Sequence, residues 1–143
     1  LGSIVTYIFL TGSVFVFSYW FFEPADVYEF DGGIKIEEKE VRAGDTLTYI
    51  VKYCKETDAV TTTTRTLFRA DKTGSASIDI VPGNSKAGCY ESEVPISIPT
   101  TLSEGDWYLR SSITVKINPI KSDTIHIESN TFKVLAPKDN GKN

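Results

Sequence analysis

The first 22 residues, LGSIVTYIFLTGSVFVFSYWFF, contain no charged side chain. A helix of that length spans about 33 Å, close to the hydrocarbon thickness of a bilayer. Ile4, Val5, Ile8, Phe9, Leu10, Val14, Phe15, Val16 and Phe17 place apolar groups on every side, which leaves no face for water. Tyr19, Trp20, Phe21 and Phe22 gather at one end, where an interfacial aromatic belt sits. Glu23-Pro24 then ends the helix, because a residue preceding proline is pushed out of the helical region. A cleavable signal has a shorter apolar stretch ending in small residues. A small soluble core needs fewer uncharged residues than this. The reading is a membrane-spanning helix over residues 1–22, or a helix buried in an equally apolar assembly.

Charge placement suggests an orientation. Glu23, Asp26, Glu29 and Asp31 follow the helix, and no Lys or Arg occurs before Lys35. A flank without positive charge fits the exported side. The expected topology is a cytoplasmic N-terminus and an exported C-terminal domain, whether periplasmic, extracellular or on a virion surface. The chain holds no methionine, so a further basic segment is expected upstream of Leu1. Those four acids also account for the net charge of −4, leaving fifteen acids against fifteen bases. A neutral domain offers no basic face for nucleic acid. Residues 23–33 read as a solvated acidic linker.

Beyond the linker, strand-like alternation replaces the helical period. Trp107, Leu109, Ser111, Ile113, Val115 and Ile117 form one face; Tyr108, Arg110, Ser112, Thr114, Lys116 and Asn118 form the other. Similar patterns predict strands over 34–41, 46–54, 60–69, 75–81, 90–98, 107–117 and 124–135, the last bulged near Ser129-Asn130. Pro95 confines its strand to an edge or a partly unpaired ladder. Turn signals separate these segments at regular spacing. The expectation is an all-β, immunoglobulin-like sandwich of about seven antiparallel strands over residues 34–136, with a polar tail over 137–143.

Within that frame Trp107 is the core anchor at the corner entering its strand, with Tyr108 outward but able to supply a hydroxyl. Cys54 closes one strand and Cys89 opens another that should lie beside it antiparallel. In an exported compartment a disulfide is the default for such a pair; buried free thiols, or a redox or metal role, are the alternatives. One histidine and two cysteines are too few for an all-protein zinc site of the usual kind. His126, beside Glu128, is the only histidine a triad could use. No phosphate loop or calcium loop occurs. The expectation is a non-catalytic protein without a cofactor. The run Thr61, Thr62, Thr63, Thr64 and Arg65 is the most unusual surface feature, read either as a solvent-facing edge or as a hydrogen-bonding ladder for a partner.

Taken together, Gly44-Asp45, Tyr53-Cys54-Lys55, Gly88-Cys89, Ile98-Pro99 with Leu102 and Gly105, Asn118-Pro119, and Ser129 with Phe132 and Val134 resemble a pattern in small bacteriophage-encoded membrane proteins. Those have one N-terminal span and an immunoglobulin-like domain. The resemblance implies a phage or prophage product, in the virion or at the host envelope, and brings no catalytic residue. The functional expectation is a membrane-tethered interaction module, held in lipid by residues 1–22 and binding an unidentified protein. The alternative is a pilin- or archaellin-like filament subunit with the apolar helix in the filament core. Gly2, Ser3, Thr6, Gly12 and Ser13 permit close helix packing, which leaves homo-oligomerisation open.

Overall fold

A computed structural model describes residues 2–24 and 26–138. Helix α1 runs Gly2–Phe22 and none of its residues is buried. Thr6, Thr11 and Ser13 donate their hydroxyls to the carbonyls of Gly2, Tyr7 and Phe9, at 2.7–2.9 Å. Their polarity is therefore satisfied inside the helix.

Nine strands follow: β1 Tyr28–Ile36, β2 Glu40–Arg42, β3 Thr46–Lys55, β4 Thr61–Arg69, β5 Ser75–Gly83, β6 Gly88–Ser97, β7 Gly105–Asn118, β8 Lys121–Glu128 and β9 Phe132–Leu135. One sheet has the order β1-β3-β6; the other has β2-β9-β7-β4-β5, with β8 also paired to β7. The core lies between them. Leu47, Tyr49, Val51 and Ile96 from the smaller sheet meet Leu67, Trp107, Leu109, Phe132 and Val134 from the larger. The alternation read along β7 emerges as buried Trp107, Leu109, Ser111, Ile113 and Val115.

Three expectations change. First, the segment 34–41 is not one strand. Ile36 ends β1, and β2 joins the other sheet as a parallel partner of β9, so the pairing is not wholly antiparallel. The side chain of Asn130 makes the crossing tenable: it accepts from Ile36 N at 2.8 Å and donates to Ile36 O at 3.0 Å. A side-chain amide there stands in for a neighbouring strand. Second, the last predicted strand is two, β8 and β9, both beside β7 and broken at Ser129 to Thr131. Ser129 Oγ accepts from Leu109 N at 2.9 Å and so patches the ladder across the break.

Third, the acidic linker is largely part of the domain. Val27 is buried, and β1 already begins at Tyr28. Asp26, Glu29 and Asp31 point to solvent while Val27, Tyr28 and Phe30 pack inward. A strand with one wet face has that alternation; reading charge alone hid it. The register of β1 slips between Phe30 and Ile34. Gly32 and Gly33 adopt φ of 81° and 76° there, a left-handed region that glycine enters without steric cost.

Candidate functional site

The helix and the β domain meet at the β7–β8 hairpin. The last carbonyls of any helix lack intrahelical partners. Here Asn118 Nδ2 donates to Trp20 O at 2.8 Å and to Glu23 Oε2 at 2.9 Å. Lys121 Nζ donates to Phe21 O at 3.4 Å and to Glu23 O. The lysine charge also complements the negative end of the helix dipole. Thus the backbone of Trp20 and Phe21, within the aromatic cluster, is fastened to the domain itself. The sequence places Asn118 on the outward face of its strand and gives no sign of this cap, since the contact joins residues almost a hundred positions apart.

The same end of the β domain collects its covalent and electrostatic fastenings. Cys54 and Cys89 face each other across β3 and β6 and form the disulfide, with Cα atoms 4.0 Å apart. The next residue, Lys55, is 2% exposed. Its ammonium donates to Ala59 O and Ser85 O, both at 2.6 Å, and lies 5.8 Å from the centre of the Tyr28 ring. A buried charge needs such partners, and these tie two loops to the end of β3, beside Tyr28 of β1.

Between the sheets runs a cleft of about 180 Å³. Tyr28, Tyr49 and Tyr53 line one wall, and Thr61, Thr63 and Arg65 the other. Period-two alternation turns these three residues of the threonine run inward. Arg65 Nη1 pairs with Asp79 Oδ2 at 3.4 Å, and the guanidinium lies 5.8 Å from the Tyr49 ring centre. Arg65 Nε, Asp79 Oδ1 and Ser111 Oγ are buried without a hydrogen-bond partner among the described residues. Burial pushes the Tyr49 phenol above its ordinary value, with the Arg65 guanidinium pulling the other way. Burial likewise raises Tyr28, against a hydrogen bond to Thr61. The cleft can accommodate small polar groups, and β5 and β6 at its rim are the outer strands of their sheets.

The threonine run is not an edge. β4 is paired with β5 on one side and β7 on the other, so its ladder is closed to a partner strand. The outward members instead join a sheet face. Thr64 stands opposite Ser112 and Ser112 opposite His126; Thr62 stands opposite Thr114 and Thr114 opposite Thr124. Ser112 Oγ lies 2.9 Å from His126 Nδ1, and the hydroxyls of Thr114 and Thr124 are 3.0 Å apart. The Ser112–His126 pair lies on an exposed face, and Glu128 is engaged with Arg110 at 2.8 Å. A triad needs a third group orienting the imidazole, and no such bond to His126 is made among the described residues. Ser112 was missed because cross-strand register is invisible along one strand.

Trp107 sits at the opposite end, 4% exposed, with Nε1 donating to Ser103 O at 3.0 Å. Its indole locks the corner; Tyr108 instead stacks on Phe68, ring centres 5.8 Å apart.

No family model matches the chain, and no curated protein matches it. Among solved structures, the C-terminal domain of wzt aligns at 13% identity with a TM-score of 0.49, over 78% of each chain. Spo0M, a sporulation control protein from Bacillus subtilis, aligns at 13% identity and a TM-score of 0.42, over 77% of this chain and 50% of that one. AT1g01470 from Arabidopsis thaliana gives 17% identity and a TM-score of 0.43, over 81% and 86%. None of the three is described as a bacteriophage protein, and likeness at this level extends to neither activity nor ligand.

Proposed function

We propose that this chain is a non-catalytic, membrane-tethered interaction module, an immunoglobulin-like sandwich displayed on the exported side by helix α1. The observation that carries this reading is the helix itself. It is uncharged, apolar on all sides, long enough to cross a bilayer and unburied by its own domain. A surface of that kind must be covered by lipid or by other apolar helices. On this reading the partner is a protein that meets the outer hydroxyl face of Thr62, Thr64, Ser112, Thr114 and Thr124 rather than a strand edge. A bacteriophage origin rests on the sequence elements alone.

The filament alternative uses the same helix, covered by copies of itself. Fractionation separates the two. Protein retained in membranes after an alkaline carbonate wash, and released only by detergent, supports the tether. Protein in sheared surface material, as polymers under negative stain, replaces the tether with the filament core. Protein released by the carbonate wash overturns both.

A further inference from the structure

The end of the sandwich nearest α1 carries exposed apolar side chains that its own packing does not explain. Outside the helix, the described residues expose three large hydrophobics: Val60 at 63%, Ile80 at 66% and Ile120 at 52%. Two of the three, Val60 and Ile120, lie at this end. Ile120 occupies the tip of the β7–β8 hairpin, between Asn118 and Lys121, the residues that cap the helix. Val60 precedes β4, and its carbonyl accepts from Lys116 N on the same hairpin at 3.3 Å. Since Asn118 and Lys121 bond to carbonyls of residues 20, 21 and 23, the tip sits at the depth of the Tyr19 to Phe22 aromatic belt. In a membrane-spanning helix that depth is the headgroup region.

We propose that the β7–β8 hairpin tip is a second membrane contact, with Ile120 and Val60 seated in the phospholipid headgroup interface beside the helix. The proposal rests on the membrane tether. Charges at this end are mixed: Lys86, Lys116 and Lys121 stand against Glu23, Asp26, Glu56, Asp58 and Asp123. The contact is therefore driven by apolar burial and needs no anionic lipid. Its consequence is orientation. One helix alone lets a domain swivel; helix, cap and hairpin together hold the sandwich upright, with the Trp107 corner outermost.

The test uses the full chain, disulfide intact, in phosphatidylcholine vesicles. Single Ile120→Cys, Val60→Cys and Thr101→Cys variants carry an environment-sensitive nitrobenzoxadiazole label; Thr101 is exposed at the far end. Labels at positions 120 and 60 should emit at shorter wavelength than at 101. Lipids bearing a nitroxide near the headgroup should quench those two alone, equally with or without added phosphatidylglycerol. Solvent-like, unquenched emission at position 120, in protein that resists carbonate extraction, overturns the hairpin contact and leaves the tether standing. Protein extracted by carbonate overturns the tether, and the hairpin contact with it.

Discussion

Trp107 and Tyr49 illustrate two ways in which a buried aromatic governs this two-sheet domain. Trp107 fills the far end of the core and spends its one donor on Ser103 O. Trp107→Ala removes that volume and leaves a cavity, at a cost of about 3–5 kcal/mol. Urea unfolding of the full chain in detergent micelles should register a loss of that order. Tyr49 instead brings a phenol into the cleft, where burial raises its pKa above 10.0. Near pH 10 the unfolded chain starts to release this proton while the folded chain holds it. Stability linked to Tyr49 is thus complete below pH 10 and falls as pH climbs toward the folded pKa. Tyr49→Phe should flatten that alkaline decline in the unfolding midpoint; an unchanged slope would place the titration elsewhere.

At the scale of elements, β3 and β6 pair without a register shift from Thr46↔Ser97 to Lys55↔Gly88. The disulfide closes it with a sequence separation of 35, worth about 3–4 kcal/mol in the chain-entropy model. Reduction should lower the unfolding midpoint accordingly, and thiol titration without reductant should find no free sulfhydryl. This pairing was legible in the sequence because each cysteine lay at the end of a clearly alternating strand. β7 was legible for the same reason. The sheet switch between β1 and β2 was not: Glu37, Glu38 and Lys39 continue an extended pattern, and the turning agent, Asn130, lies 94 positions from Ile36. Nor could the run from Thr61 to Arg65 reveal its place in the sheet. Alternation assigns faces, but only pairing decides whether a strand is central or outer. The cleft therefore escaped notice, although its three β4 residues had been singled out.

For the whole molecule, the main question is how firmly the β domain is coupled to its helix. A solvated acidic spacer would let the two move independently. Instead Val27 is buried, Glu56 N donates to Val27 O at 3.0 Å, and the hairpin caps the helix end. The connection is thus held from both sides, and opening it means breaking those bonds. Asn118 and Lys121 donate four such bonds, each worth about 0.5 kcal/mol net at this part-exposed junction, so removing both side chains weakens it by about 2 kcal/mol. Proteolysis of a transiently opened segment follows its opening equilibrium when reclosing is fast. Asn118→Ala combined with Lys121→Ala should therefore raise proteinase K cleavage between residues 23 and 27 by roughly 30-fold. On the proposed tether, carbonate resistance should be the same in variant and parent, because the helix keeps its apolar surface. Equal cleavage in the variant and the parent would mean that the buried Val27 segment alone holds the junction.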